Sequence, residues 1–399
     1  MSLRVAYICA DPGVPVFGAK GASVHVQEIL RAWRARGASL HLYCTRLGDE
    51  VPADLRDLPV THLPVPGVDA GEREHAQRRA AVQLADAVLA DGADIVYERY
   101  SLFSPALAVI GARDAHARMT RILEVNSPLI EEQARHRTLV DAPGAWAILR
   151  SQVGAADRVV AVSAPVGDWI GRHTAAGQRL RIVPNGVNTD RIRASATSAP
   201  QGGRAVVVFV GTLKPWHGLE ILIEAAALAS SAWQLRIVGD GPLRQSLRDL
   251  AAARDVPVDF RGAVAPEHIA GELSDAIVAV APYPASDDHY FSPLKIFEYA
   301  AAGLPVVASD IGQVPQIVSH GETGLVVPPS DAAALAAGID ALVLNPDRAA
   351  RLGRAGRARA VAEHSWERAL DRIVEGMDLG AVATARDGSA PAPAGASHG

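Results

Sequence analysis

Lysine is nearly missing from this chain. Of 39 Lys and Arg residues, three are lysines: Lys20, Lys214 and Lys295. Cysteine is scarcer still. Cys9 and Cys44 each lie in a short apolar run, which excludes a disulfide frame or a cysteine metal site and fits a reduced, cytoplasmic protein. No apolar run reaches 18 residues, so no segment reads as a spanning helix. The first run, 3–10, is short, carries Arg4 and stops at Asp11-Pro12, so it reads as a buried strand and not as a leader. An excess of positive charge is lacking too. A net charge of −5 and a pI near 6.2 speak against a nucleic-acid binder, which would show a basic stripe. The segment EREHAQRRA (72–80) mixes both signs and reads as a solvated helix face, compatible with no more than a weak peripheral membrane contact. Also absent are Asp-x-Asp, Gly-x-Ser-x-Gly, a Walker loop, His-Glu-x-x-His and the three-glycine dinucleotide fingerprint.

What is present is an alternation. The chain has 399 residues, 49% of them hydrophobic, which is enough for two cores. Apolar runs at 4–10, 39–44, 94–97, 121–125 and 158–162 read as buried strands, with helical patterns at 23–36, 70–90 and 164–173 between them. The second half repeats the scheme: strands at 205–210, 234–238, 258–260, 277–280 and 306–308, helices at 219–229, 243–253 and 293–302. This implies α/β architecture, two doubly wound parallel sheets covered on both faces. The small, polar stretch ASATSAPQGGR (194–204) separates the halves. The expected organisation is a first Rossmann-like domain at 1–190 and a second at 204–364. A last helix at 365–380 and a disordered, Pro/Ala/Gly/Ser-rich tail at 381–399 follow. Ligands of such sheets bind at the C-terminal strand ends, so two facing halves place a cleft between them.

All three lysines fall in turns beside glycine or proline: FGAKGAS (17–23), GTLKPWHG (211–218) and FSPLKIFEY (291–299). A lysine is a compact point charge where arginine is a planar fork, and glycine turns before helices are where phosphates bind. In FSPLKIFEY, Ser292-Pro293 reads as N-cap and first helical residue. Lys295 then sits in a first turn, where a cation is unfavourable unless an anion is present. An anion there would meet the N–H groups of Leu294 and Lys295, and Glu298 one turn on could accept from vicinal hydroxyls; the alternative is an ordinary capped amphipathic helix. In GTLKPWHG, Lys214 or His217 could hold a phosphate, or the loop merely packs Trp216. Gly18 and Gly21 permit close backbone approach after the first strand, and His25 opens the next helix as either a core residue or a ligand contact. IVGDGPLR (237–244) supplies another backbone-lined edge at Gly239. In the first half, Glu98 and Arg99, and Glu124 and Asn126, end neighbouring strands and should project toward the cleft unless they cap the next helices.

Five segments in order carry a resemblance: IVPNGVNTDRI, VGTLKPWHGLEIL, IVGDGPLR, FRGAVAPEHI and SPLKIFEYAAAGLPVVAS. With them the chain resembles the family 4 glycosyltransferases over nearly its whole length, 4 to about 377. The resemblance implies the GT-B fold, with two Rossmann-like domains facing across a cleft and a C-terminal helix that crosses back to the first. It implies transfer of a sugar from a nucleoside-diphosphate sugar, with retention, no cofactor and no obligate metal, to a small-molecule, glycan or lipid acceptor. By position, Glu298 would bind the donor ribose and Ser292, Pro293, Leu294 and Lys295 the diphosphate. Val264 would border the base, while Gly18 and Gly21 would abut the phosphates. The acceptor side would include His25, Glu98 and Arg99. Departures are visible: the first glutamate of the family's pair falls on Tyr290, with Asp287 or Asp288 as stand-ins. The usual phosphate Arg falls on Thr212, the usual Lys on His217, and a first-domain histidine on Asn126. Lys214 and Lys295 are the expected replacements, and with Asn126 and Glu124 they are the candidate catalytic residues. Two rivals remain open, a sugar-nucleotide isomerase (epimerase) on the same fold and a non-catalytic sugar-nucleotide binding module.

Overall fold

A computed structural model describes residues 2–67, 69–114, 119–194, 204–286 and 289–379. Its first half runs β1 (Arg4–Cys9), α1 (Gly21–Ala35), β2 (Ser39–Cys44), β3 (Val60–His62), α2 (Ala70–Asp91), β4 (Ile95–Arg99) and α3 (Ala106–Arg113). It continues with β5 (Thr120–Val125), α4 (Leu129–His136), α5 (Ala142–Ala155), β6 (Arg158–Ala161), α6 (Ala164–His173) and β7 (Leu180–Ile182). The second half comprises β8 (Ala205–Val210), α7 (Leu219–Leu228), β9 (Trp233–Val238), α8 (Arg244–Ala253), β10 (Val258–Gly262), α9 (Ile269–Leu273) and β11 (Ala276–Ala281). Then come α10 (Leu294–Ala301), β12 (Val306–Ser309), α11 (Val314–Ile317), β13 (Gly324–Val327), α12 (Ala332–Val343), α13 (Pro346–Glu363) and α14 (Trp366–Val374).

The strands form two parallel sheets, ordered β3-β2-β1-β4-β5-β6-β7 and β10-β9-β8-β11-β12-β13. Both are doubly wound, and the winding direction reverses between β1 and β4 in one and between β8 and β11 in the other. At such a reversal adjacent loops part to opposite faces and leave a crevice. The strand composition explains the burial: β8 is AVVVFV, buried at every position, because helices cover both faces. The three strands with no counterpart in the sequence reading, β3, β7 and β13, have three or four residues each. They are edge strands, with β3 and β7 carrying exposed positions, too short to show a period.

Helix α13 ends at Glu363, and α14 starts at Trp366 with the Ser365 hydroxyl accepting from Arg368 N. Between them Val187 N donates to His364 O at 2.8 Å. Trp366, Leu370 and Ile373 then enter the core of the first sheet beside Val26, Ile29 and Trp33 of α1. The last helix thus packs on the first domain. The stretch 195–203, the pair Asp287-Asp288 and the tail 381–399 lie outside the described residues.

Candidate active site

The cleft is built around two helix starts, one from each switch point. Helix α1 follows β1 and α10 follows β11, and neither has a side-chain N-cap; Lys20 and Pro293 occupy the cap positions. Their first N–H groups are therefore left for another partner. The two starts meet: a Cβ on Gly21 would stand 3.3 Å from Leu294 Cδ1. Gln27, which no motif announced, holds the loop in front of α1 by donating to Val16 O and Gly18 O at 2.9 and 3.0 Å.

One expectation here is corrected. Ser292 is not the N-cap of α10. Pro293 is extended, with ψ 94°, so the helix begins at Leu294. The Ser292 hydroxyl instead accepts from Asn185 N at 3.0 Å, and Ser292 O accepts from Asn185 Nδ2 at 2.9 Å. The start of α10 is tied to the chain leaving the first sheet.

The loops after β8 and β9 form the floor. A Cβ at Gly239 would lie 1.9 Å from Gly211 O, and φ is +138° there, so only glycine fits. Leu213 N donates to Asp240 O at 3.0 Å and stitches the loops together. Tyr299 of α10 places its hydroxyl 2.7 Å from Val210 N, fixing the end of β8. Thr212 is exposed on this loop, and Val264 packs against the core of the second sheet.

Lys295 lies beneath the Gly211 loop and does not reach into open solvent. Its Nζ is 3.1 Å from His217 Nδ1 and 4.0 Å from the centre of the Phe209 ring. Burial pushes the amine well below its ordinary range, against the pull of Glu298. Burial, the Lys295 charge and His289 push His217 down to about 2. Lys214 does not join them. Its ammonium lies over the Trp216 ring at 5.5 Å, on the outer side of the same turn. Glu298 is held by Arg191 at 3.3 Å; burial raises its carboxyl above the usual range, against the opposing pull of Arg191. Arg191 also faces buried Glu28 of α1 at 3.6 Å, and Asn188 Nδ2 donates to Glu28 at 3.0 Å. Neither Arg191 nor Glu28 stands out in the sequence as a site residue; Arg191 lies in the segment NTDRI, and Glu28 in the helical stretch after the first glycine turn.

In the first domain the expectations separate. Glu98 does not project into the cleft. It is fully buried, accepts from Ser104 Oγ, Leu107 N at 3.1 Å and Gln152 Nε2 at 2.7 Å, and so anchors the start of α3. Burial raises its carboxyl to about 7, with those three donors pulling the other way. Glu124 pairs with His25 Nε2 at 2.9 Å, and the His25 ring stands edge-on to Trp366 at 4.9 Å. Burial would raise the Glu124 carboxyl, but His25, Arg99 and Tyr97 outweigh it and hold it below its usual value. Arg99 is the register neighbour of Glu124, and Asn126, just beyond β5, has both amide atoms buried without a hydrogen bond. The Tyr290 side chain turns to the first domain, where its hydroxyl meets Glu132 of α4.

Comparison with known proteins agrees with this architecture. Residues 19–191 match the glycosyltransferase family 4 model, and residues 204–345 match glycosyl transferases group 1. The chain is 30% identical to a D-inositol 3-phosphate glycosyltransferase of Acidothermus cellulolyticus, over 92% of this chain and 85% of that protein. It is 28% identical to an alpha-maltose-1-phosphate synthase of Mycolicibacterium smegmatis, over 94% and 98%. Sucrose-phosphate synthase from Thermosynechococcus elongatus has the same fold, with TM-score 0.72, 24% identity and coverage of 92% and 97%. So does Anabaena HepE in complex with UDP and glucose, with TM-score 0.69, 18% identity and coverage of 94% and 98%. This chain belongs to the family 4 glycosyltransferases and has the GT-B fold.

Proposed function

We propose that the protein is a retaining glycosyltransferase that moves a sugar from a nucleoside-diphosphate sugar to an acceptor hydroxyl without an obligate metal. The observation that carries this reading is the meeting of two uncapped helix starts, at Gly21 and Leu294, beside a buried lysine. Helix starts attract anions through unpaired N–H groups and dipole. The diphosphate would lie between them, and Glu298 would take the ribose hydroxyls in exchange for part of its contact with Arg191. The relatives point the same way: HepE was solved with UDP and glucose, and the Acidothermus relative is named for an inositol phosphate.

The C1–O bond to the diphosphate breaks as the acceptor oxygen bonds to C1 from the same face. The departing phosphate oxygen takes the acceptor's proton, so no protein nucleophile is required. Lys295 opposes the charge that gathers on the leaving group. Removing one preorganised contact of this kind costs roughly 3 kcal/mol of barrier, about a hundredfold in rate.

The test is calorimetric binding of UDP, GDP, ADP and dTDP to the wild type and to Glu298→Ala. One diphosphate should bind, and the substitution should weaken it about tenfold or more, as expected for a hydrogen bond to a charged group. Binding of none of them would remove the assignment. Release of free nucleoside diphosphate from its sugar with no acceptor-linked product would favour the isomerase instead.

A further inference from the structure

Three basic side chains from three segments surround one buried ring, Tyr283. Lys295 Nζ is 5.6 Å from its centre, and the rings of His217 and His289 stand 6.0 and 4.7 Å from it. His289 is 8% exposed, and neither of its ring nitrogens has a hydrogen bond. At 3.1 Å, Lys295 Nζ and His217 Nδ1 must share one proton between two nitrogens, with one donating and the other accepting. The acid that acts on Lys295 is Glu298 of the same helix, and its carboxylate is bonded to Arg191, which also faces Glu28. Lys214 at the head of the turn is directed onto Trp216. Among the described residues, the Lys295–His217 pair therefore has no carboxylate bonded to it. A buried ammonium without a counter-ion is costly, and burial accordingly pushes Lys295, His217 and His289 all downward, the last to about 4.

We propose that Lys295 and His217 act as one unit that takes up a proton from solvent when the donor's diphosphate arrives at the start of α10, the proton resting on Lys295 Nζ with His217 Nδ1 as its acceptor. This rests on the reading of the cleft as a nucleotide-sugar site. An opposite charge a few ångström away favours the charged form of a buried amine. The empty protein thus avoids an unpaired charge, and the loaded one has a lysine cation next to the leaving group. His217 is a positioning residue: it holds Nζ under Gly211, where any Cβ would lie 2.8 Å from that nitrogen. The sign follows. A group depressed in the empty site and raised by the anion binds protons on loading, so affinity rises as pH falls between the two values.

The test uses UDP-glucose and GDP-mannose, whose diphosphate diesters do not titrate near neutrality, so a proton taken up must go to the protein. Binding is measured by calorimetry on the full chain at pH 8 in HEPES and in Tris, whose ionisation enthalpies differ. The expected result is uptake approaching one proton per nucleotide sugar, lost in Lys295→Met, a shape that the aromatic box can hold. His217→Asn keeps an acceptor for Lys295 and should retain the uptake and most of kcat, while His217→Leu should lower kcat at least tenfold with KM less affected. Binding without proton uptake in the wild type, or uptake that persists in Lys295→Met, overturns the proposal and leaves the donor site standing. Equal kcat in the Asn and Leu variants overturns the role of His217. If neither nucleotide sugar nor any of the four diphosphates binds, the donor site falls and this proposal with it.

Discussion

Glu98 and Glu124 differ in what surrounds them, although both lie near the end of a strand. Glu98 faces neutral donors only, so burial dominates and its carboxyl rises to about 7. A carboxyl raised on folding binds its proton more tightly in the native state, so the stability it contributes is full below its unfolded value and is lost as pH rises through about 7. The melting temperature of the wild type should therefore fall between pH 5 and 8, and Glu98→Gln should flatten that slope; an unchanged slope in differential scanning fluorimetry would count against the assignment. Glu124 has His25 and Arg99 beside it and stays low. Sequence could place both residues at strand ends. Both are buried, and what each meets there is set by packing: α3 and α5 bring Leu107 N and Gln152 Nε2 to Glu98, while α1 brings His25 to Glu124. Gly239 is a simpler case. With Gly211 O only 1.9 Å from a would-be Cβ, Gly239→Ala should cost about 2 kcal/mol or more and be visible in urea denaturation.

At the scale of elements, α14 and the start of α10 matter most. Trp366 opens α14, is 3% exposed and packs against His25 of α1. Trp366→Ala should cost about 3–5 kcal/mol. Amide exchange in α1 and α14 should rise together, because the helices share one core. Exchange confined to α14 would show that the packing is not cooperative. The α10 start shows how far a motif can be read. Lys295 in a first turn was legible from spacing, and so was the glycine loop it sits under. The one-residue shift of the helix start was not, since it depends on the extended Pro293 and on Asn185, 107 residues away from Ser292 along the chain.

For the whole molecule, polar contacts join the two halves beside the apolar ones that α14 and Leu294 make with the first-domain core. Arg191 stands between Glu28 and Glu298, Tyr290 reaches Glu132, and Gln313 Nε2 donates to Val162 O at 3.0 Å. Removing the guanidinium leaves the half-buried Glu298 without its ion pair, while Glu28 keeps Arg31 Nη1 at 3.0 Å. Arg191→Met should destabilise the protein by about 3 kcal/mol, and also weaken donor binding, because Glu298 loses the group that orients it. A change under about 0.5 kcal/mol in chemical denaturation, within the range of an ordinary surface substitution, would mean that the hydrogen bonds from Asn188 Nδ2 and from Arg31 Nη1, each at 3.0 Å, suffice for Glu28.

The sequence by itself determined the two parallel sheets, because strands buried on both faces must be apolar runs and crossover helices must separate them. It determined the family, because glycine, proline and lysine turns lie at fixed separations along the chain. It also located Lys295 and Glu298 on one helix, since that relation is local. Only the tertiary structure decided their partners: His217 for Lys295, Arg191 for Glu298, Glu132 for Tyr290, and the interior for Glu98. Those pairings join segments separated by tens to more than a hundred residues. The charge state of a buried group follows from its partners and its burial, and neither is written in the local pattern.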